Sequence, residues 1–375
     1  MDNPTPPRDD EPRRRRDGDG PRTRGASSFS LFAVLLAILV VLIAILINLL
    51  GIGKPQKPKP DNGPIGVRIK YEDLLRFTEP YHLLYDQDLP PFHTMETRRF
   101  DTPTVNATCP GPTAPISISH VANSSARFST IDPAQRACGI YPTVGKLTTS
   151  IQSCTGIMVW KDVVLTADHC LPWGRDRRVW ESIKFTPAYD GTTPHPELYG
   201  SASAVRCAGV DPPLQDGRDM AVCKLNVSIG DACGKAKLGE PPAGWNAEWY
   251  KSRRWYSIGY PRSVDEGKKP QRHGSFLIND VKLINDNDGC HVLNTDFFAD
   301  QGWSGGPVYY YDEATGKSSV EGVVINCEGP GGGPSGCSGA TGTNIAAGKR
   351  MKALVEYGIV RSQVPSRWVF DAWNL

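Results

Sequence analysis

Three short segments carry residues whose types, taken together, can activate a hydroxyl for attack on a carbonyl carbon. The first is Val163-Val164-Leu165-Thr166-Ala167-Asp168-His169-Cys170, the second Asp219-Met220-Ala221-Val222-Cys223-Lys224-Leu225, and the third Asp300-Gln301-Gly302-Trp303-Ser304-Gly305-Gly306-Pro307-Val308. A serine hydroxyl is a poor nucleophile until a neighbouring base takes its proton. In this chemistry Ser304 attacks, His169 takes the proton and returns it to the leaving group, and Asp219 holds the imidazole in one tautomer. The backbone N–H groups of Gly302 and Ser304 are the candidate donors to the developing oxyanion, and glycine at 302 lets the peptide turn its N–H inward. Asp211 and Asp216 rival Asp219 for the orienting role. Both sit in a Pro/Gly-rich loop, whereas Asp219 opens an apolar strand. His291, beside Cys290, reads as structural.

The elements that must position these residues read as β-structure. From about residue 117 the chain consists of short β-prone runs separated by Gly, Pro, Asn and Asp, among them Thr155–Trp160, Val163–Leu165, Ala221–Leu225, Trp255–Ile258 and Val320–Ile325. Many short strands with turn signals predict a barrel or sandwich. One late helix is predicted over Ala346–Tyr357, with Ala347, Met351, Leu354 and Val355 on one side.

Upstream the composition changes. Residues 1–28 hold seven arginines, four of them consecutive, mixed with Asp, Glu, Pro and Gly, and read as a disordered tail. Leu31–Leu50 is apolar except for Asn48. A run of about 20 residues at 1.5 Å rise spans a bilayer core. Residues 29–50 are therefore expected to be an uncleaved transmembrane signal anchor, too long for a cleaved signal peptide. The arginine excess before the span places the N-terminus in the cytoplasm and the remainder in the lumen or outside. Residues 51–116 read as a linker and stalk or pro-segment, with a short possible helix at Tyr71–Phe77, and residues 117–375 as the catalytic domain. A net charge of +2 implies no nucleic-acid partner.

All 10 cysteines follow the span, an even number that reads as disulfides in an oxidising compartment. No Cys/His cluster has zinc-site spacing, so neither metal nor cofactor is expected. Cys207–Cys223 and Cys327–Cys337 are proposed from short separations around Gly- or Pro-rich loops. Cys109, Cys138, Cys233 and Cys290 stay unassigned. Sequons at Asn106, Asn123 and Asn226 fit a secretory route. Arg98-Arg99, in the poorly ordered stretch, is a candidate cleavage point for release after Arg99.

Residues 140–360 resemble the trypsin/chymotrypsin-like serine peptidases, on the strand-to-histidine segment 162–170, the chain order His, Asp, Ser, and the glycine turn around Ser304. The resemblance implies an all-β fold of two packed six-stranded antiparallel barrels, followed here by the C-terminal helix, with a cleft between the barrels that binds a protein or peptide substrate. It also implies a Cys154–Cys170 bridge next to the histidine. Phe185-Thr186-Pro187-Ala188-Tyr189, Gly259-Tyr260-Pro261 and Trp303 resemble the glutamyl-endopeptidase-like branch. Trp303 stands where animal trypsins carry an aspartate that pairs with a new N-terminus, so the oxyanion turn is expected not to depend on that ion pair. The pocket walls implied by the family fall on Phe298, Ala299, Val324 and Gly342, which predicts an apolar pocket. Asp300 would bring a carboxylate into it if the alignment shifted by two residues. The alternative to an enzyme is a catalytically idle binding protein of the same shape.

Overall fold

The computed structural model describes residues 65–70, 128–174, 179, 181–193, 195–211, 216–239, 246–283, 290–312, 314, 317–328 and 342–363. All of them fall in one unit, Pro60–Leu375. The tail 1–28, the apolar run 31–50, the possible helix 71–77 and Arg98-Arg99 lie outside the described residues. Among the described residues no helix is long and apolar enough to cross a membrane.

In chain order the strands are β1 (Ile65–Lys70), β2 (Phe128–Thr130), β3 (Val144–Thr148), β4 (Ser153–Trp160), β5 (Val163–Thr166), β6 (Lys184–Pro187), β7 (Ala202–Asp211) and β8 (Ala221–Leu225). They continue with β9 (Lys237–Leu238), β10 (Trp255–Gly259), β11 (Gln271–Phe276), β12 (Ile278–Leu283), β13 (Cys290–Thr295), β14 (Pro307–Asp312), β15 (Lys317–Glu328) and β16 (Gly342–Gly348). The helices are α1 (Gly230–Cys233), α2 (Ala247–Lys251) and α3 (Lys349–Gln363).

The first sheet runs β7-β6-β3-β4-β5-β8, and β8 pairs back onto β7, closing a six-stranded barrel. Closure removes the edges that an open sheet would expose. Its interior is filled by Leu147, Ile157, Met158, Leu165 and Phe185, all fully buried. Burying each such side chain contributes about 1.5–3 kcal/mol. β4 is buried along nearly its whole length rather than on alternate residues, because one face lines the barrel and the other meets the second sheet.

The second sheet follows the path β12-β13-β16-β15-β14-β10-β11-β2, with β9 on β15. Its ladders make a half-barrel rather than the second closed barrel expected. Only Leu277 separates β11 from β12, so one bent stretch of chain supplies strands near both ends of the path.

Two further expectations change. Ala346 and Ala347 belong to β16, where they pair with Val292 and His291 of β13 and with Val323 and Gly322 of β15. The helix therefore starts at Lys349, and it buries Met351, Leu354 and Val355 as expected. Ile65–Lys70, read above as stalk, forms β1, which adds to the first barrel by pairing in parallel with β7.

Candidate active site

His169 sits on a single 3-10 turn, Asp168–Cys170, immediately after β5. β5 pairs antiparallel with β8 in a register that sets Thr166 against Ala221. Continuing that register two residues brings Asp219 alongside the histidine turn. The Asp219 carboxylate, 2% exposed, accepts from the His169 backbone N–H at 2.9 Å and meets His169 Nδ1 at 2.7 Å. With the proton on Nδ1, Nε2 is left as the base. Burial works against a charged His169, but the hydrogen bond to Asp219 and the charges of Asp219 and Asp168 outweigh it and raise its pKa. Asp216 is occupied by Arg218 at 2.6 Å, and Asp211 ends β7, so neither is the partner of His169.

Ser304 lies on a turn that both sheets tie down. Trp303 N–H donates to Asp300 O, Gly306 N–H to Trp303 O, and Gly305 N–H to Val324 O of β15. From β4, Thr155 N–H donates to Ser304 O at 2.8 Å and Thr155 Oγ1 donates to Gly302 O at 2.8 Å. Gly302 has φ +94°, and a Cβ there would stand 2.4 Å from Tyr260 O, so only glycine fits. The N–H groups of Gly302 and Ser304 take no part in the hydrogen bonds that tie the turn together. Trp303 is fully buried, donates from Nε1 to Ser257 Oγ at 2.8 Å and packs edge-on against Phe297. Packing and a neutral hydrogen bond thus anchor this turn.

His169 and Ser304 line one cleft of about 390 Å³ between the two sheets. Among the described residues no hydrogen bond joins their side chains. Such contacts commonly tighten only with substrate bound. Ala299 and Val324 also line the cleft, but Phe298 and Gly342 do not. Gly342 instead backs onto Thr295, and the adjacent Thr343 Oγ1 accepts from Ala299 N–H at 2.7 Å, supporting the wall from behind. Asp300 does line the cleft, with its carboxylate accepting from Ser263 N–H at 3.0 Å.

Cys154 and Cys170 are bridged, tying β4 to the histidine turn, and Cys207 and Cys223 are bridged as direct partners across β7 and β8. Cys154, His169 and Cys170 cluster closely, but their sulfurs are bonded to each other and so are not a ligand set. Cys233 is a free, buried thiol, with burial pushing its pKa up to about 12, so the even cysteine count does not translate into complete pairing. Cys138 is disulfide-bonded. Cys109, Cys337, Asn106 and Asn123, and the side chains of Cys290 and Cys327, lie outside the described residues. Asn226 is exposed, and its Oδ1 accepts from Ser203 N–H at 2.9 Å. His291 is buried beside Tyr250 in the second sheet, and burial lowers its pKa to about 4.

Reading the sequence missed two residues. Thr155 looks like any strand residue, yet it joins the nucleophile turn to the first barrel. Arg68 lies outside the recognisable domain, yet its guanidinium reaches Asp168.

No curated protein matches the chain. A solved glutamyl endopeptidase in complex with MPD is 18% identical over 65% of this chain and 100% of its own, with a TM-score of 0.46. The protease Anisep from Arthrobacter nicotinovorans is 19% identical over 60% of this chain and 98% of its own, with a TM-score of 0.43. The trypsin family model matches residues 132–345, more than half of the chain. This chain therefore belongs to the trypsin family and is a serine endopeptidase.

Proposed function

We propose that the chain is a membrane-anchored endopeptidase that cleaves through a Ser304–His169–Asp219 triad and a covalent acyl-enzyme. Ser304 Oγ attacks the scissile carbonyl as its proton passes to His169 Nε2. The tetrahedral oxyanion accepts from the N–H groups of Gly302 and Ser304. His169 then protonates the leaving amine, and the Ser304 ester forms. Water, deprotonated by the same histidine, releases the acid. The observation that carries this reading is the Asp219–His169 pair on the same cleft as Ser304. Because His169 must be neutral to act, its raised pKa predicts an acid limb of activity above pH 6.5.

The anchor reading rests on the apolar run 31–50 and its upstream arginines. The Cys154–Cys170 and Cys207–Cys223 disulfides agree with a lumenal or extracellular location. The pocket reading rests on Ala299 and Val324, which favour an apolar side chain before the cut. A fluorophosphonate probe tests the core of the proposal. It should label the wild type and not Ser304→Ala, and His169→Ala should lose labelling to a similar extent. Labelling that survives His169→Ala at the wild-type rate would overturn the assignment. Deleting residues 29–50 should move the protein from the alkali-resistant membrane fraction to the soluble one, and a soluble full-length chain would remove the anchor.

A further inference from the structure

A buried ion pair lies directly behind the histidine turn. Asp168 precedes His169, its side chain is 4% exposed, and its Oδ1 has no hydrogen-bond partner. Its other oxygen meets Arg68 Nη1 at 2.5 Å. Arg68 is equally buried, donates to Val210 O at 3.0 Å, and stacks its guanidinium over Trp173 at 4.0 Å from the ring centroid. Trp173 in turn donates from Nε1 to Asp168 O at 3.1 Å. The register of β1 on β7 sets Arg68 opposite Gly209. A Cβ at residue 209 would stand 2.0 Å from Asp168 Oδ1 and 3.1 Å from Arg68 Nη1. The bare glycine is what lets the guanidinium and carboxylate meet. The family match begins at residue 132, so Arg68 comes from outside it.

We propose that Arg68 is a positioning residue for the hydrolytic reaction: β1 carries its guanidinium under the His169 turn, neutralises Asp168, and so sets both the charge felt by His169 and the geometry of the His169–Asp219 pair. The proposal rests on His169 being the base. The groups facing Asp168 are Arg68 from β1, Asp219 from the turn before β8, and its neighbour His169. Those facing His169 are Asp219 and Asp168. Without Arg68, two buried carboxylates would face each other with no cation between them. Burial already pushes Asp168 up to about 7 although Arg68 pulls it down. Removing the guanidinium lets burial raise Asp168 further until its carboxyl is neutral, so the field at the histidine changes little while the support under its turn is lost. Removing the carboxylate leaves the histidine beside an uncompensated guanidinium, which lowers its pKa.

A pair that served stability alone would not move the pH profile. The test is kcat/KM against pH on a peptide ester for the full chain and for Arg68→Met, Arg68→Lys and Asp168→Asn, with thermal unfolding measured alongside. Arg68→Met should lower kcat at least about tenfold with little change in KM or in the acid limb. Asp168→Asn should shift the limb to lower pH, and Arg68→Lys, which keeps the charge, should stay near wild type. Where a single variant does not fold, Arg68→Met/Asp168→Asn decides, because replacing both members of a buried pair leaves stability nearly unchanged. A similar tenfold fall in its kcat upholds the proposal, and wild-type kcat and pH profile overturn it. An Asp168→Asn variant that folds and superimposes on the wild-type limb, or an Arg68→Met variant that folds with wild-type kcat, also overturns it. A wild type with no acid limb would instead refute His169 as the base.

Discussion

Thr155→Val isolates the joint between the two sheets. Thr155 is fully buried in β4, and its Oγ1 donates to Gly302 O at 2.8 Å while accepting from Tyr260 N–H at 3.0 Å. Valine keeps the shape and removes the oxygen, leaving both backbone groups without a partner. Each buried group so stranded costs about 1–3 kcal/mol. The methyl that replaces the hydroxyl returns roughly 0.8 kcal/mol. A net loss of about 3 kcal/mol follows, which lowers Tm by about 10 °C for a domain of this size. The Gly302 carbonyl is also free to rotate, and a displacement of about 1 Å at the oxyanion donors costs on the order of 10²-fold in rate. Thermal unfolding and the second-order rate of fluorophosphonate labelling measure the two effects separately. Thr155→Ser is the control, since it keeps Oγ1 and should retain the labelling rate. A valine variant with a Tm within about 2 °C of wild type and an unchanged labelling rate would refute the joint.

Other substitutions read other parts of the structure. Gly302→Ala forces a Cβ to within 2.4 Å of Tyr260 O at φ +94°, so kcat on a peptide ester should fall on the order of 10²–10³-fold. Glu321, 1% exposed on β15 with Oε2 unpartnered, is pushed up to about 8 by burial, against the pull of Arg253. Its folded-state pKa lies above the unfolded value, so the stability it contributes is present below about pH 4.5 and is lost as pH rises through about 8. Glu321→Gln should therefore raise Tm at pH 9 and barely change it at pH 4.5. Cleavage of a random peptide library should show an apolar residue before the cut. A strong preference for Arg or Lys would mean that the Asp300 carboxylate turns from Ser263 N–H towards the substrate.

The parts of the fold legible in the sequence are those whose signal is local. β4, β5 and β8 are short β-prone runs, and their ends fall within two residues of the expected ones. The pairing of Asp219 with His169, and the placement of His169 and Ser304 on one cleft, come from segments that each carry a distinctive short context. What escaped depends on pairing over distance. Ile65–Lys70 is flanked by Pro-rich sequence, and nothing local announces a parallel partner at Arg206–Asp211. Ala346 and Ala347 fit either a helix or a strand until β13 and β15 are seen on both sides of them.

The docking of β1 bears on the release expected after Arg99. A cut there severs the covalent link between β1 and the barrel it adds to, because Arg68 lies on the N-terminal side of Arg98-Arg99. What remains is the parallel ladder from Ile65↔Arg206 to Lys70↔Asp211, the Ile69 side chain in the core, and the Arg68–Asp168 pair. Exposed segments are cut far more readily than paired strands are pulled out. With the proposed anchor in place, cleavage alone should therefore leave a nicked enzyme still held at the membrane by β1. Shedding needs the further step of stripping the strand, and that step uncovers the buried Asp168 carboxylate beside His169. On the proposed anchor and triad, anchorage and the charge around His169 are coupled through one strand, and an enzyme released by this route leaves Arg68 behind.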